Sequence, residues 1–492
     1  MRNIMVHVQH EKGLLNRYFS NCVGAGRAAE VMRYQPMEQL QTIQRECPFR
    51  YIRFHGLFHE EMNLVNRDEA GNLHFCFQYI DLLFDSLLAC GIRPIVELGL
   101  MPQALAAKDQ YVFWWKMNIS MPKNIGEWSE LIEALVRHLT RRYGEKEIKE
   151  WYFEVWNEPN HPSFFSESKN IREYFKLYDS AALAIKKVNA DYRVGGPATA
   201  GMCWITDFIK HCRENQIPID FISSHSYGVK GDFDADGKAI LVLTPIDALS
   251  DTVRFFGELC RKEGLPLLIT EWSSSYSSRD PIHDSYFNAP FILHTIKRCE
   301  GYADMLSYWA YTDIFEEHGP PCEPFHGGFG LLNVQSIPKP SFYAYSFLHR
   351  LGDTEIVCLD EEAYACKSDH EVQILFWNLV QPDQDCTNRI YFARPLPSQP
   401  IEDVEIEICG LECCRQYSIA AETIGYRSGD AYNAYLEGKF NDLPTREETS
   451  RLMEEARPKK IFRIEWSDEH GILRFRLPQT ENQVDFVTIC KA

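Results

Sequence analysis

Short apolar runs alternate with amphipathic stretches along about two thirds of the chain, counted from its first residue. The runs are rich in β-branched and aromatic residues, which is typical of buried strands, and the stretches between them carry apolar residues at helical spacing. We predict strands at 21–24, 51–55, 94–99, 151–158, 193–197, 221–225, 266–271 and 305–309. Helices are predicted between them, among others at 77–90, 125–142, 171–188, 204–214, 245–262 and 288–300.

This alternation predicts an α/β fold. Eight strands separated by helices favour a (β/α)8 barrel, a TIM barrel over residues 13–350, rather than an open doubly wound sheet. The first strand is not followed by the Gly-rich turn that binds dinucleotides, which argues against nucleotide chemistry. In such barrels the active site lies at the C-terminal ends of the strands, so the residues that end each run are the first candidates for function.

The pattern changes after about residue 352, where short strands follow one another without helices between them. We read strands at 372–377, 389–392, 404–408, 460–466, 472–477 and 484–489. They predict a C-terminal all-β sandwich domain over 351–492, interrupted by one inserted helix at 444–457 with Pro444 in its first turn. Residues 1–12 include a weakly alternating strand that is expected to join this sandwich.

Composition and charge narrow the functional classes. The 492 residues carry a formal net charge of −19, which argues against nucleic acid and anionic membranes as partners. No stretch is apolar and long enough to predict a signal peptide or a membrane span, so a cytoplasmic protein is expected. The 16 cysteines are accordingly expected to be reduced.

The most informative stretch is the aromatic run 151–156, which is followed by Asn157, Glu158 and Pro159. Pro159 cannot donate a ladder hydrogen bond, so the strand is expected to end with Asn157 and Glu158 at the barrel rim. A glutamate there can pass a proton to a glycosidic oxygen, and a carboxamide can bind a sugar hydroxyl. This arrangement favours sugar chemistry.

A second apolar run, 267–270, ends in Glu271. If the strand count is right, Glu158 ends the fourth strand and Glu271 the seventh, so both carboxylates face one pocket. Retaining glycosidases need two carboxyl groups about 5–5.5 Å apart, one protonated and one ionised. Arg53, at the end of the second strand, is predicted to keep Glu271 ionised. Burial and the neighbouring carboxylate are predicted to raise the pKa of Glu158.

The stretch 156–160 together with 269–272 resembles the signature of the clan A retaining glycosidases, and the surrounding detail resembles glycoside hydrolase family 39, the β-xylosidases. Further matching motifs run along almost the whole chain, at 22–27, 51–56, 96–102, 284–289 and 325–331.

The resemblance implies that Glu158 is the general acid/base and Glu271 the nucleophile of an exo-acting β-xylosidase that releases xylose from xylo-oligosaccharides. It implies that Asn157 binds the sugar 2-hydroxyl and that Tyr227 orients Glu271. The sugar subsite would be lined by His55, His225, Trp309, Glu316 and Glu317, with Phe164 or Phe165 near its mouth. Members of the family are often tetramers, so a homo-oligomer is among the expectations.

Some positions depart from the family pattern, namely Trp272, the serines at 273–275 and the segment 230–238. They leave the mechanism intact and bear on substrate preference. One alternative is an α-L-iduronidase or another pentosidase on the same scaffold, although iduronate would want a basic residue where this chain has Glu316 and Glu317. An alternative from another class is a catalytically dead carbohydrate-binding protein, against which the presence of both glutamates argues.

No cofactor and no metal are predicted. Cys409, Cys413 and Cys414 lack the paired CxxC spacing of zinc sites. His55 and His59 have i, i+4 spacing, but the HExxH order of zinc proteases is absent.

Overall fold

The computed structural model describes residues 2–233, 238–438, 440 and 443–492. Eight parallel strands form one closed barrel, which confirms the predicted fold class. We label the barrel strands β1 to β8 in chain order. They are β1 Cys22–Arg27, β2 Tyr51–His55, β3 Arg93–Leu98, β4 Tyr152–Val155, β5 Arg193–Ala200, β6 Phe221–Tyr227, β7 Leu267–Ser273 and β8 Met305–Tyr308. Each strand pairs with its neighbours in sequence, and β8 pairs with β1 to close the ring.

Helices cover the outside of the barrel because each buries an apolar stripe against the strands. Asn124 and Asn170 cap two of the longest, each accepting a hydrogen bond from a first-turn amide. The α-helices of this part are Ala28–Val31, Tyr34–Glu46, Gln78–Ala89, Ile125–Tyr143, Glu145–Ile148, Ile171–Val188, Ile205–Asn215, Ala248–Lys262, Asn288–Cys299 and Pro340–Arg350. Single 3-10 turns lie at Tyr18–Ser20, Glu60–Met62 and Pro281–His283. In the described residues, no helix is both long enough and apolar enough to cross a bilayer.

Three small antiparallel hairpins project from loops that follow barrel strands, on the side where active sites of such barrels lie. After β2 the hairpin consists of Val65–Arg67 and Leu73–Phe75. After β3 it consists of Tyr111–Val112 and Met117–Asn118. After β6 it consists of Val229–Phe233 and Ala239–Leu243. Residues 230–233 of the divergent segment 230–238 lie in its first strand, and residues 234–237 lie outside the described part of the chain.

The C-terminal region contains one nine-stranded sheet. The N-terminal strand, Arg2–Leu14, lies in this sheet, parallel to Pro400–Cys409 and antiparallel to Thr354–Cys358. The remaining strands are Ala363–Lys367, Glu371–Trp377, Gln416–Ile424, Lys459–Trp466, Leu473–Thr480 and Val484–Lys491.

The sheet curls so that its two ends face each other across a common apolar core, and this gives it two layers like a sandwich. Val404 and Leu473 near one end share that core with Tyr417 and Ile419 near the other. Arg463 of one terminal strand donates a hydrogen bond of 2.8 Å to the carbonyl of Arg476 in the other.

Three helices interrupt the sheet in the described part of the C-terminal region. We predicted a strand at 389–392, and this prediction is wrong, because Asn388–Tyr391 is a short helix. Asn388 is its buried residue and Ile390 is exposed, so no apolar face is present, and four residues are too few for periodicity to distinguish the two states. The other two helices are Ala431–Gly438 and Arg446–Glu455. Thr445 caps the latter, so Pro444 precedes the cap.

Candidate active site

The backbone after β4 directs two polar side chains toward the barrel axis. The strand ends at Val155, and Trp156 and Glu158 then adopt left-handed backbone conformations, with φ of 72° and 44°. Two hydrogen bonds to adjacent strands hold this turn, from Trp156 N to Leu98 O at 2.9 Å and from Glu158 N to Ala198 O at 2.8 Å. Such conformations cost about 1–3 kcal/mol each and are found where function requires a particular side-chain direction.

Glu158 at the end of β4 and Glu271 in β7 come together as the strand count predicts. One oxygen of each carboxyl group and a ring nitrogen of His225 lie within 4.8 Å of one another. Both glutamates are buried, 9% and 5% exposed. The 4.8 Å limit is shorter than the spacing of about 6.5–9.5 Å in inverting glycosidases and is compatible with the close pair, about 5–5.5 Å apart, of retaining ones.

Arg53, fully buried in β2, organises the base of the site. It donates to Glu271 Oε1 at 2.5 Å, to Glu154 Oε2 at 2.5 Å and to Asn157 Oδ1 at 2.9 Å. Its second terminal nitrogen also lies 3.0 Å from Glu97 Oε2. Burial by itself would raise the pKa of Glu154, but the guanidinium outweighs it and the pKa is lowered.

Glu271 accepts a second hydrogen bond on its other oxygen, from the Tyr227 hydroxyl at 2.6 Å. Arg53 and Tyr227 together fix the plane of the carboxylate, and both bonds are strongest when Glu271 is ionised.

The environment of Glu158 is different. No cation donates to its carboxyl group among the described residues, and burial raises its pKa to about 7. The nearest ring nitrogen, His225 Nδ1, lies 2.9 Å from Glu158 Oε1. Burial also lowers the pKa of His225 to about 4, so this imidazole is neutral at pH 7. The two carboxyl groups therefore lie in different environments, since Glu271 accepts from Arg53 and Tyr227 and no cation donates to Glu158 among the described residues.

A cavity of about 1000 Å³ opens above the two glutamates. Of the predicted subsite residues, it is lined by His55, Asn157, Phe164, Tyr227, Trp309 and Glu317. Burial raises the pKa of Glu317 to about 8, so its carboxyl group is mostly protonated at pH 7. His225 is completely buried and does not itself line the cavity, but its ring contacts Glu158.

Two further predicted subsite residues, besides His225, do not line the cavity. The carboxylate of Glu316 accepts hydrogen bonds from Arg33 at 2.5 and 2.9 Å and from Arg27 at 3.1 Å, which turns it away from its neighbour Glu317. Phe165 is completely buried and packs edge-on against the Trp156 ring at 5.3 Å between centroids.

Several lining residues were not predicted. Among them are Phe113, Trp114, His161, Tyr276 and His318. The aromatic run 111–115 in the long loop after β3 was a usable signal, because exposed aromatics on loops often bind sugars or partners. Tyr276 and His318 stand alone in polar loops, and nothing in the local sequence marks them.

Glu158, His225 and Glu271 form the one group of donor atoms in the described residues close enough to surround a cation. Arg53 already donates to Glu271 at 2.5 Å, and a metal ion would face that guanidinium. This arrangement opposes a cation at the carboxylate, and the absence of a metal or cofactor stays a prediction.

A closed (β/α)8 barrel with a carboxyl pair of this kind at its C-terminal rim defines a glycoside hydrolase. The model of one family, described as glycosyl hydrolases family 39, matches residues 2–471. The chain therefore belongs to glycosyl hydrolases family 39, which confirms the resemblance seen in its motifs.

Relatives span the whole chain. A β-xylosidase of Caldicellulosiruptor saccharolyticus is 37% identical over 502 residues, covering 99% of this chain and 98% of the relative. One from Geobacillus stearothermophilus is 41% identical over 387 residues, covering 76% and 77%. A crystal structure described as a monomeric β-xylosidase from Caulobacter crescentus CB15 superposes with a TM-score of 0.94 at 38% identity, covering 100% of both chains. An α-L-iduronidase of Mus musculus is 24% identical over 36% of this chain and 28% of the relative.

Proposed function

We propose that the protein is a retaining exo-glycosidase, a β-D-xylosidase that removes xylose from the non-reducing ends of xylo-oligosaccharides. The observation that carries this proposal is the carboxyl pair, close together and in opposite electrostatic environments. The family membership and the two β-xylosidases at 37% and 41% identity support the substrate assignment.

In the first half-reaction Glu271 attacks the anomeric carbon while Glu158 donates its proton to the leaving oxygen. A bond forms between Glu271 and the sugar as the glycosidic bond breaks, and the alcohol departs. In the second half-reaction the Glu158 carboxylate takes a proton from water, which attacks the same carbon and releases Glu271. The raised pKa of Glu158 suits it to both steps.

Asn157 is placed to bind the sugar. Its Oδ1 accepts from Arg53, and this fixes the orientation of the amide so that its nitrogen remains as the donor. That donor is available to the 2-hydroxyl of a sugar bound between the two glutamates.

The exo mode is supported by the way the cavity is bounded. Trp114, on the hairpin after β3, donates its backbone amide to the carbonyl of Glu317 at 2.7 Å. This contact joins the β3 and β8 loops on the side of the cavity that holds His55 and Trp309, so a sugar chain would end there.

The iduronidase alternative is less well supported. The lining residues in the described chain include neither lysine nor arginine, which a substrate carboxylate would require. When Glu317 on the cavity wall is ionised, its negative charge would repel the carboxylate of such a substrate. When Glu317 is neutral, it offers that carboxylate no cationic partner.

The test is hydrolysis of an aryl β-D-xyloside, with NMR identification of the first-formed anomer, for wild type, Glu271→Ala and Glu158→Ala. Wild type should release β-xylose and Glu271→Ala should be inactive. With an activated aryl leaving group and added azide, Glu158→Ala should yield the β-xylosyl azide, because azide attacks the glycosyl-enzyme from the space vacated by the acid. Release of α-xylose would refute the retaining mechanism, and an active Glu271→Ala would refute its nucleophile. If wild type showed no activity at all, a carbohydrate-binding protein without catalytic activity would be favoured instead.

A reducing compartment is proposed as well. None of the 16 cysteines forms a disulfide, and this supports the expected cytoplasmic location. The oligomeric state stays a prediction; the Caulobacter crescentus relative is described as monomeric.

A further inference from the structure

One segment of the C-terminal region reaches the rim of the barrel. We call residues 381–388 the bracing segment. Its Gln384 side chain accepts a hydrogen bond from the backbone N of Leu243 at 3.0 Å. The Thr387 hydroxyl accepts from the backbone N of Leu241 at 3.2 Å and lies 3.1 Å from the carbonyl of the same residue. The outer strand of the hairpin after β6 is therefore attached to the bracing segment along its edge.

The inner strand of that hairpin forms part of the cavity wall. Leu243 pairs directly with Val229, and Val229 lines the cavity. Thr244, just beyond the hairpin, receives a further hydrogen bond on its carbonyl from Gln381 at 2.9 Å. The bracing segment thus lies one strand away from the cavity.

A second attachment leads to the loop after β7. Asn388 donates to Asp280 Oδ2 at 2.9 Å, and both side chains are completely buried. Gln384 donates to Asn388 Oδ1 at 2.7 Å, so the two attachments are joined. The loop from Ser273 to Asp280 carries Tyr276, whose ring is half exposed and lines the cavity.

The strand order shows on which side of the carboxyl pair these walls lie. Around the barrel the order is β4, β5, β6, β7, β8, β1, β2 and β3. Of the residues assigned to the bound xylose, His55 ends β2, and Trp309 and Glu317 follow β8. Glu158, the proton donor to the leaving oxygen, follows β4. The side of the ring opposite β8, β1 and β2 is β4 to β6, so the leaving group is expected there, beside the hairpin after β6 and next to the loop after β7 that carries Tyr276.

We propose that the bracing segment positions the subsite for the leaving group, with Thr387 and Asn388 as positioning residues. The proposal rests on the proposed xylosidase function and extends it: the C-terminal region, through these side chains, sets how tightly the enzyme holds the sugar that it releases from xylose. Without the hydrogen bonds of the bracing segment, the hairpin after β6 and the loop after β7 would sample other positions. The affinity for the leaving sugar would then fall, while the chemistry at the anomeric carbon stayed the same.

Thr387→Val tests this, since valine keeps the shape of the side chain and removes the hydroxyl. Thr387→Ser is the matched variant that keeps the hydroxyl. Tyr286→Phe is the control for contact between the two regions, because the Tyr286 hydroxyl donates to Leu396 O at 2.8 Å without touching either cavity wall. All four proteins are assayed on xylobiose and on β-D-xylosyl fluoride, whose leaving group is a single atom, and their thermal midpoints are compared.

Thr387→Val should lose about five- to tenfold in kcat/KM on xylobiose, mostly through KM, and less than about twofold on the fluoride. Thr387→Ser should recover most of the loss, and Tyr286→Phe should resemble wild type on both substrates. Equal losses on the two substrates, or none on either, would overturn the positioning role. If wild type hydrolysed neither substrate, the proposed function would fail and this inference with it.

Discussion

The raised pKa of Glu158, the proposed catalytic acid, should make this side chain destabilising to the folded protein at neutral pH. Glu158→Gln is the perturbation that reveals this, because glutamine keeps the length of the side chain and the oxygen that faces His225 Nδ1. The variant cannot ionise. It should therefore be more stable than wild type above the usual pKa of the carboxyl group. There, folding of wild type must either bury a charged carboxylate or bind a proton.

The magnitude follows from the two pKa values. In the unfolded chain the carboxyl group has its usual pKa of 4.5, and in the folded protein burial raises this pKa to about 7. Between these values the folded state binds the extra proton, so the stability of wild type falls as the pH rises. At 1.36 kcal/mol per pH unit the full effect is about 3 kcal/mol, reached above pH 7 and absent well below pH 4.5.

Urea unfolding followed by tryptophan fluorescence measures the difference, since most of the tryptophans lie in the barrel. We expect the stability advantage of Glu158→Gln to grow by about 2–3 kcal/mol between about pH 5 and about pH 8. An advantage that is the same at both pH values would refute the reasoning, because it would mean that the folded-state pKa of Glu158 is not raised.

Glu154→Gln is the control with the opposite sign. This buried carboxylate pairs with Arg53 at 2.5 Å, and its pKa is lowered because the guanidinium outweighs burial. Its contribution is present above the usual pKa of 4.5 and is lost only as the pH falls through the lowered folded value. The variant should lose about 3 kcal/mol at both pH values, since one partner of a buried pair is removed.

Three further predictions concern activity and packing. The kcat/KM for an aryl β-xyloside should fall about tenfold per pH unit above about pH 7, as Glu158 loses its proton; a profile that stays flat to about pH 9 would contradict this. Tyr227→Phe should lower kcat/KM by about 10- to 100-fold with little change in the thermal midpoint, because it removes only the 2.6 Å hydrogen bond to Glu271; a loss of less than about twofold would show that this bond does not matter. Gly24→Ala should destabilise the barrel by about 1–3 kcal/mol, measured by urea unfolding, because the added methyl would overlap the Trp309 ring; an unchanged midpoint would mean that the ring moves freely.

Much of the barrel could be predicted from the sequence because parallel strands buried on both faces read as continuous apolar runs. The C-terminal region was harder to predict. The strands Thr354–Cys358, Ala363–Lys367 and Gln416–Ile424 were missed, and Asn388–Tyr391 was assigned the wrong state. Short elements with one buried face carry weak periodicity, and their state depends on what packs against them.

The sequence by itself determined the chemistry of the candidate site. Glu158 and Glu271 each follow an apolar run that marks a barrel strand, and eight such runs suffice to bring both residues to one rim, although β7 continues to Ser273 and β4 ends at Val155. The tertiary structure decided everything that depends on contacts distant in sequence. Glu316 and Glu317 are indistinguishable in the chain, yet Arg27 and Arg33 bind the first and leave the second to the cavity. The same holds for the bracing segment at 381–388, because a loop side chain takes its direction from partners that only the folded chain brings near.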